Sequence, residues 1–382
     1  MSDPKIMLIA GEASGDRIAA AAIRATKKFA NERGSSFSFF GIGGDECDAQ
    51  GVECLHTAKE MSVVGFVEVA RRFRFFRNVL REMTSLLDTR RPDTLLLIDY
   101  PGFNIRLARE AKKRGIRVVY YVSPQVWAWH ASRIKELKEV VDEMLVIFPF
   151  EEKIYRDAGF ANTHFVGHPL VERIDAEIGR WGSRVDFALN HGLDPSREWL
   201  LVFPGSRSEE VRRLLPTMTQ AAIQFTKAHN MQAILVQSAS IDVSAFAGNS
   251  GASIISFRDA DATHELMHHA KLGILKSGTT TLEAALIGLP GVICYKTHPL
   301  TFAIGKRLVK LKFIGLANIV LGRKLYPELL QGDVNPITIC EELDGVMKNY
   351  DSFKQSLEGL SATLRQTGAT PSRRVAEILL AS

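Results

Sequence analysis

Short runs of apolar residues recur along the chain, and longer segments with helical spacing of apolar positions separate them. Apolar runs of about four to eight residues bounded by turn residues are typical of strands in a parallel sheet, which helices cover on both faces. The strands predicted in the first half are Ile6–Ala10, Phe37–Ile42, Thr94–Asp99, Gly115–Val122 and Glu143–Phe148. The pattern predicts helices there over Arg17–Ala30 and Phe66–Leu87.

The same alternation begins again in the second half of the chain. The strands predicted there are Trp199–Phe203, Gln232–Val236, Ser253–Ser256, Gly273–Leu275 and Gly291–Cys294. From about Asn335 onwards only helices are predicted. A chain of 382 residues exceeds one ordinary core. The pattern therefore predicts an α/β fold of two Rossmann-like domains that face each other across a cleft, with a helical C-terminus.

The boundary between the domains is predicted where the alternation loosens and charges accumulate, between Gly167 and Gly192. We expect residues 1–175 to form an N-terminal domain. Residues 176–382 are expected to form a C-terminal domain that includes the terminal helices, and the sequence leaves open whether the last helices return to pack on the first domain. Ligands of such sheets bind at the carboxyl ends of the strands. Polar residues in the loops that follow strands are therefore the first candidates for chemistry.

Composition narrows the class of protein without naming a partner. Hydrophobic residues at 46% and charged residues at 24% are typical of a globular protein, and the net charge of +5 is mild. No apolar run reaches the roughly 18–20 residues of a membrane-spanning helix, and the N-terminus lacks the layout of a signal peptide. The four cysteines form no C-x-x-C pair, so we expect reduced thiols in a cytoplasmic protein.

The segment Leu272–Pro290 is the most informative part of the sequence. An apolar strand runs into Ser277, Gly278 and Thr279, where a helix is predicted to begin. The free N–H groups of a helix N-terminus form an anion site. Glu283 would repel a bare phosphate but suits the hydroxyls of a ribose. The segment predicts a nucleotide site, with an ordinary capped helix as the alternative.

A second loop of the same domain indicates a diphosphate site. Ser206 and Arg207 follow the strand Trp199–Phe203 and precede a predicted helix. Arginine binds phosphate through charge-assisted hydrogen bonds, and Gly205 allows close approach of the backbone. The alternative is an exposed arginine that pairs with Glu210.

The loops of the first domain favour sugar chemistry over dinucleotide or ATP binding. Glu12, Ser14 and Asp16 follow the first strand, and this loop matches neither G-x-G-x-x-G nor a P-loop. The alternative is that Ser14 and Asp16 cap a helix. Asp99 ends a buried strand, where apolar surroundings can raise the pKa of a carboxyl into the range of a general base. A turn-forming aspartate is the alternative there.

Two aromatic regions could contact sugar or lipid. Trp127 and Trp129 lie in the loop after a strand, where an exposed ring would contact sugar or acyl groups and a buried one would pack in the core. The segment Val69–Leu80 interleaves arginine and phenylalanine, a pattern that suits an anionic lipid surface. Core packing of these phenylalanines is the alternative. No nucleic-acid partner is expected, because no recognised binding module accompanies the basic residues.

Two short motifs indicate metals only weakly. His264 and His268 form an H-E-x-x-H pattern, but a third ligand such as Glu283 has the wrong spacing for a zinc protease. Asp259 and Asp261 form a D-x-D pattern, but they precede the same predicted helix, where aspartates are good caps. Neither motif is expected to bind metal.

In combination, these segments resemble those of the lipid-A-disaccharide synthase family. Its members are bacterial glycosyltransferases of the two-domain GT-B type. The segments that carry the resemblance span about residues 7 to 332 and are Ala10–Asp16, Val64–Val69, Tyr121–Trp129, Pro204–Arg207, Ser277–Thr279 with Leu282 and Glu283, and Leu316–Asn318. The family often has Asp where this chain has Gly102, so that position cannot assist catalysis here.

The resemblance implies transfer of 2,3-diacylglucosamine from UDP to 2,3-diacylglucosamine 1-phosphate at the cytoplasmic face of the inner membrane, by a peripheral enzyme. The product is the β-1,6-linked lipid A disaccharide precursor. No cofactor or metal is implied, and a homodimer is left open. The resemblance also implies that the N-terminal domain binds the acceptor and lipid and that the C-terminal domain binds the UDP-sugar. Asp99 corresponds to the candidate base for the 6-hydroxyl of the acceptor, aided by Glu12 and Ser14. The residues implied to bind UDP are Ser206, Arg207, Ser277, Gly278, Thr279, Glu283 and Asn318. Those expected to contact acyl chains or the membrane are Val64, Phe66, Phe73, Phe75, Phe76 and Trp127.

Three other functions stay open on the sequence. The nearest is another UDP-sugar enzyme of this fold, such as a UDP-N-acetylglucosamine epimerase or transferase. A metalloprotease built on His264 and His268 is a different class. The third is a membrane-surface protein that binds UDP-diacylglucosamine without turnover.

Overall fold

The computed structural model describes residues 4–62, 72–129, 133–238, 254–299, 302, 312–365 and 368–381 of the chain. It divides into two compact units. The first consists of Met1–Glu172 with Leu364–Ser382, and the second of Arg173–Thr363.

The described part of the first unit contains a seven-stranded sheet in which all strands are parallel, in the order β3-β2-β1-β4-β5-β6-β7. Its strands are β1 Lys5–Ala10, β2 Ser38–Gly43, β3 Glu53–Thr57, β4 Thr94–Ile98, β5 Arg117–Tyr121, β6 Glu143–Val146 and β7 Thr163–Phe165. Its helices are α1 Ala13–Asn31, α2 Asp45–Asp48, α3 Ala58–Met61, α4 Phe73–Thr89, α5 Pro101–Lys113, α6 Val126–Trp129, α7 Arg133–Val140, α8 Pro149–Asp157 and, at the end of the chain, α17 Pro371–Leu380.

The described part of the second unit contains a six-stranded parallel sheet in the order β10-β9-β8-β11-β12-β13. Its strands are β8 Trp199–Phe203, β9 Gln232–Val236, β10 Ile254–Phe257, β11 Leu272–Lys276, β12 Gly291–Tyr295 and β13 Glu328–Leu330. Its helices are α10 Arg184–Asn190, α11 Ser208–Ala228, α12 Thr263–His269, α13 Thr279–Ile287, α14 Leu316–Leu321 and α15 Pro336–Lys348, with a 3₁₀ turn at Gln331–Asp333. Two helices carry the chain from one unit to the other, α9 Pro169–Ile178 and α16 Tyr350–Leu364.

Each strand predicted from an apolar run is present, because these runs fill the interior of a sheet that helices cover. Every residue of β4 and of β8 is buried. The sequence missed the short strands β3, β7 and β13, which lie at the edges of the two sheets. Edge strands are partly exposed and carry no continuous apolar run; β3 has no fully buried residue.

The end of the chain departs from the expected division. Residues 364–382 were expected in the second domain, whereas the structure returns them to the first unit and divides the chain between 172 and 173. Helix α17 packs against α1 there. The Arg117 guanidinium donates hydrogen bonds to the carbonyls of Ile378, at 2.8 Å, and Leu379, at 3.2 Å. These contacts satisfy carbonyls at the C-terminus of α17 that the helix itself leaves unpaired.

Helix α4 begins at Phe73, whereas the sequence predicted a helix from Phe66. Residues 63–71 lie outside the described part of the chain. Among the described helices, none combines the length and the apolar character needed to cross a bilayer.

Candidate active site

The carboxyl ends of two central strands bring together the polar residues that the sequence singled out in the first unit. Strand β1 pairs with β4 so that Ala10 lies beside Ile98. Glu12 therefore follows one strand and Asp99 the other at the same edge of the sheet. Their charges interact, because Glu12 contributes to the pKa of Asp99.

The backbone at Asp99 adopts a conformation that few residues with side chains adopt. Asp99 has φ +45° and Tyr100 has φ +48°, so two consecutive residues are left-handed. Such positions cost about 1–3 kcal/mol each and persist where the surroundings fix them. The Asn104 amide donates hydrogen bonds to the carbonyls of Ile98, at 3.2 Å, and Asp99, at 2.7 Å. The Tyr120 hydroxyl donates a further hydrogen bond to the Asp99 carbonyl.

Asp99 has the electrostatic character of a general base. Burial raises the pKa of its carboxyl to about 6, the nearby charge of Glu12 adds to the increase, and a hydrogen bond from the Tyr100 backbone opposes it. A carboxylate with this pKa is ionised at neutral pH and holds a transferred proton better than an exposed aspartate. Asp99 can therefore deprotonate a hydroxyl.

Glu12 and Ser14 have different surroundings from Asp16, although all three follow β1 closely, Glu12 just before α1 and the other two in its first turn. Glu12 and Ser14 are exposed and can meet a ligand. Asp16 is buried, and its carboxylate accepts hydrogen bonds from the backbone N–H groups of Gly44 at 2.7 Å and Cys47 at 3.1 Å. It also accepts one from the backbone N–H of the intervening Glu46, at 3.1 Å. Asp16 therefore holds the start of α2. Its position after β1 had indicated a contact with sugar hydroxyls, but its carboxylate is not free to make one.

Tyr100 was not expected to contribute to this edge of the sheet. Its ring lies against Gly11, where a Cβ atom would stand 2.8 Å from Tyr100 Cδ1. Its hydroxyl donates a hydrogen bond to the carbonyl of Met61 at 2.9 Å. Tyr100 therefore fixes the loop after β1 against the loop after β4.

A buried carboxyl fixes the segment from Ser123 to Trp127, which leads from β5 into α6. Glu151, at the start of α8, is 1% exposed and accepts hydrogen bonds from Ser123 Oγ at 3.1 Å and Trp127 Nε1 at 2.9 Å. It also accepts the backbone N–H groups of Ile147 and Phe148. Burial raises the pKa of Glu151 to about 7, although these four hydrogen bonds oppose the increase. The sequence gave no signal for this residue, because its side-chain partners lie 24 and 28 positions earlier.

Trp127 combines the two alternatives that the sequence left open. Its indole N–H is held by Glu151, and its ring meets Phe150 edge to face at 5.3 Å between centroids. The side chain as a whole is half-buried. One part of the ring is therefore available to a ligand while the rest is packed.

The phenylalanines of α4 also divide between the two alternatives. Phe73 is 54% exposed. Phe75 and Phe76 pack against the core cluster of this unit, and the Arg72 guanidinium lies 4.5 Å from the Phe75 ring centre. Val64 and Phe66, which were also expected to contact lipid, lie outside the described residues.

In the second unit, Arg207 lies just beyond the carboxyl end of β8, and its side chain is loosely held. Its side chain is 67% exposed and lies 3.5 Å from the Glu210 carboxylate. Lys276 makes the shorter contact with Glu210, at 2.7 Å, and both of these side chains are largely buried. Lys276 ends β11, the neighbour of β8, so it adds positive charge beside Ser206 and Arg207 that the sequence had not predicted.

Helix α13 begins at Thr279, as the sequence predicted, with Gly278 preceding it. The Ser277 hydroxyl donates a hydrogen bond to the carbonyl of Ile314 at 3.0 Å, and the Thr281 hydroxyl donates one to the carbonyl of Gly278 at 2.8 Å. Thr279 is exposed. The backbone N–H of Thr281 donates to the carbonyl of Gly278 at 3.1 Å. The helix itself offers no acceptor to the N–H groups of Thr279 and Thr280, which can receive an anion.

Glu283 lies one turn further along α13 and is 21% exposed. Its carboxylate lies 3.7 Å from Nε2 of the buried His264, whose Nδ1 is 2.6 Å from the Glu177 carboxylate. Burial by itself lowers the pKa of His264, but the interactions with Glu283 and Glu177 outweigh burial and raise the pKa above its usual value.

Asn318 has no free side-chain group for a ligand. It is fully buried, and its amide donates to the carbonyl of Tyr326 and to Glu328 Oε1, both at 2.8 Å. Its carbonyl oxygen accepts the backbone N–H groups of Leu325 and Tyr326, both at 2.9 Å. The contact with UDP that the resemblance implied is not available to this side chain, which instead holds the loop before β13.

The side chains of the two metal motifs have other partners, and among the described residues no three His, Cys, Asp or Glu side chains are placed to hold an ion. His264 faces two carboxylates, whereas the His268 ring packs on Trp181 at 4.9 Å between centroids. Asp259 accepts the backbone N–H groups of residues 261 and 262 and so caps the turn before α12.

Solved structures share this architecture. The calicheamicin glycosyltransferase CalG4 matches with a TM-score of 0.63 at 16% identity, over 99% of this chain and 98% of that one. A UDP-GlcNAc 2-epimerase from Neisseria meningitidis, solved with UDP-GlcNAc, matches with a TM-score of 0.62 at 10% identity, over 100% of this chain and 98% of that one. The fold is therefore the GT-B type, with two Rossmann-like domains and a helical C-terminus.

The sequence comparisons identify the family within this fold. The model of the lipid-A-disaccharide synthetase family matches residues 6–381. The lipid-A-disaccharide synthase of Trichlorobacter lovleyi is 40% identical over 381 residues, which cover 98% of this chain and 97% of that protein. The chain belongs to the lipid-A-disaccharide synthase family and is an enzyme of the glycosyltransferase class.

Proposed function

We propose that the protein is an inverting glycosyltransferase of lipid A biosynthesis. It transfers 2,3-diacylglucosamine from UDP to the 6-hydroxyl of 2,3-diacylglucosamine 1-phosphate and releases UDP. The observation that carries this proposal is the Asp99 carboxyl, which is largely buried at the end of a central strand and has a pKa of about 6. Membership of the lipid-A-disaccharide synthase family supports the choice of these substrates, which are the ones that the resemblance implies.

The first unit supplies the base. An α-linked donor that gives a β product requires direct attack from the face opposite the leaving group. The acceptor oxygen forms the new bond to C1 as its proton passes to Asp99. The bond from C1 to the diphosphate oxygen breaks, and its electron pair leaves with UDP. Glu12 and Ser14, which are exposed beside Asp99, hold the acceptor sugar.

The second unit supplies the nucleotide site. Arg207 and the N-terminus of α13 stabilise the negative charge that develops on the diphosphate. Glu283 accepts hydrogen bonds from the ribose hydroxyls. The remaining residues proposed for the UDP site are Ser206, Ser277, Gly278 and Thr279.

The acyl chains of both substrates place the reaction at a membrane surface. Phe73 is exposed, and the arginines Arg74 and Arg77 are exposed on the same helix. This combination suits an anionic bilayer. We propose that α4 and the preceding segment associate peripherally with the cytoplasmic face of the inner membrane, and that Trp127 contacts an acyl chain or sugar.

A defined pair of substrates tests the proposal. UDP-2,3-diacylglucosamine is incubated with 2,3-diacylglucosamine 1-phosphate, with and without EDTA, and the disaccharide and UDP are measured. We expect both products in equal amounts, with the β configuration at the new bond. Absence of disaccharide under both conditions would overturn the proposal. Conversion of UDP-N-acetylglucosamine alone would instead favour an epimerase, the activity named for the Neisseria meningitidis structure.

A further inference from the structure

His264 has no role in the proposed reaction, yet both nitrogens of its buried ring face carboxylates. The side chain is 7% exposed and lies between two carboxylates, with Nδ1 2.6 Å from Glu177 and Nε2 3.7 Å from Glu283. Nδ1 stands at hydrogen-bond distance from Glu177, and Nε2 faces Glu283 at the longer distance of an ion pair. The two carboxylates raise the pKa of His264 above its usual value, so they favour a positively charged ring between them.

The far end of this chain of charges is also fixed. Arg173 Nε lies 2.8 Å from Glu177, on the same helix, so the outer carboxylate has a cation on each side. The order Arg173, Glu177, His264, Glu283 therefore alternates positive and negative charge from α9 through α12 to α13. Such an arrangement restricts the orientation of each side chain in it.

Glu283 is the member of the chain that reaches the proposed nucleotide site. Its carboxylate is partly exposed, and it can bind a ribose only if it is directed outwards from α13. His264 acts on this condition, because the attraction between its ring and Oε1, at 3.7 Å, restricts the orientation of the Glu283 side chain. The second carboxylate oxygen is then available to a hydroxyl.

We infer that His264 is a positioning residue that holds the Glu283 carboxylate in the orientation needed to accept hydrogen bonds from the ribose hydroxyls of a nucleoside diphosphate. This inference rests on the proposed nucleotide site. It also gives a reason for the H-E-x-x-H pattern that does not involve metal: its first histidine supports a carboxylate, and its second packs on Trp181.

The test compares the affinities for UDP and 2′-deoxyuridine diphosphate, measured by calorimetry on the full-length protein. A hydrogen bond to a charged group corresponds to roughly 10- to 100-fold in affinity, so the wild-type protein should prefer UDP by about that factor. His264→Ala should reduce the preference to within about threefold, because Glu283 is no longer held. His264→Arg should retain most of it, because a fixed cation can meet both carboxylates.

The matched control is His268→Ala, which removes an imidazole from the same helix without touching Glu177 or Glu283. It should keep the full preference. An effect on stability alone would lower the melting temperature and leave the ratio of the two affinities unchanged. Should His264→Ala fail to fold, His264→Gln, which can keep one of the two contacts, serves in its place.

The outcomes separate this inference from the proposed function. If the wild-type protein shows no preference for UDP, or if Glu283→Gln keeps it, the ribose site itself is wrong. If Glu283→Gln loses the preference but folded His264→Ala keeps it, the nucleotide site stands and the role of His264 is refuted.

Discussion

At the scale of single residues, folding disfavours the ionised form of Asp99, the proposed base. Burial and the charge of Glu12 raise the pKa of Asp99 to about 6 from 3.8. Between these values the folded protein binds a proton that the unfolded chain releases. The contribution of Asp99 to stability is therefore fully present below pH 3.8 and is lost as the pH rises through 6.

Asp99→Asn should consequently be more stable than the wild-type protein at neutral pH. A difference of about two pKa units corresponds to on the order of 2 kcal/mol in the free energy of unfolding, and it should shrink towards pH 4. Urea denaturation of both proteins at pH 4.5 and pH 7.5 measures this change. An equal difference at both values would mean that the pKa of Asp99 is not raised.

Arg207 should affect ligand binding and leave folding unchanged. Its side chain is mostly exposed and its contact with Glu210 is long, so little stability depends on it. Arg207→Ala should weaken UDP binding by about 1.5–3 kcal/mol, the range for hydrogen bonds to charged groups. Arg212→Ala, which removes an exposed arginine paired with Glu209 on the same helix, is the control for calorimetry with UDP. Equal UDP affinity in the Arg207 variant and the wild type would refute the diphosphate contact.

Residue chemistry alone identified candidates but not their surroundings. Asp16 and Asn318 are polar residues at positions expected to meet a ligand, yet both are occupied within the protein. Asp16 accepts backbone N–H groups, and Asn318 bonds to backbone groups and to the Glu328 carboxylate. Their partners lie up to 31 positions away, and only the folded chain brings them together. Asp99 could be predicted because its strand is apolar throughout, which by itself implies burial.

At the scale of elements, Glu151 joins the loop after β5 to the start of α8. Its carboxylate is the shared acceptor for Ser123 and Trp127, and its pKa of about 7 lies well above the usual value because the group is buried. As the pH falls below 7 the carboxyl gains a proton and loses part of its capacity to accept. The contact with the indole should therefore weaken in the same range.

Tryptophan fluorescence should report this change. The wild-type emission should titrate with a midpoint near pH 7, and Glu151→Gln should remove the transition, because its amide does not ionise. Trp127→Phe identifies the part of the signal that belongs to this indole. The control is needed because Trp181 lies beside His268, and protonation of that histidine can change the Trp181 emission separately. A transition that persists in Glu151→Gln would assign it to another group.

The central strands of the two sheets could be predicted from the sequence, whereas three of the edge strands could not. Runs such as Thr94–Ile98 are buried on both faces, and the apolar pattern records this directly. The short edge strands, β3, β7 and β13, are held by neighbouring strands and not by their own composition. Contacts between elements, including those of Glu151 with Ser123 and Trp127, leave no pattern in the local sequence.

At the scale of the whole molecule, the last helix completes the first unit. Helix α17 packs on α1, and the Glu172 carboxylate accepts the backbone N–H of Ser372 at its start, at 2.9 Å. The sequence could not assign this helix to a unit, because its amphipathic pattern fits either sheet. The two-domain division and the parallel sheets were predictable, since each half repeats the alternation of strands and helices.

Removal of residues 369–382 should destabilise the first unit and spare the nucleotide site of the second. The apolar face of α1 would lose its cover, and several kcal/mol of burial would be lost with it. Thermal unfolding should then show a transition at lower temperature, while UDP affinity stays within about twofold of the wild type. A single unchanged transition would contradict the assignment of α17 to the first unit.

The most direct test of the central claim is the rate of disaccharide formation by Asp99→Asn from UDP-2,3-diacylglucosamine and 2,3-diacylglucosamine 1-phosphate. Loss of a positioned base typically lowers the rate by about 10²–10⁴. We expect a decrease in this range, with UDP affinity unchanged and the protein folded. A rate close to that of the wild-type enzyme would contradict the account, because Asp99 would then not be the base.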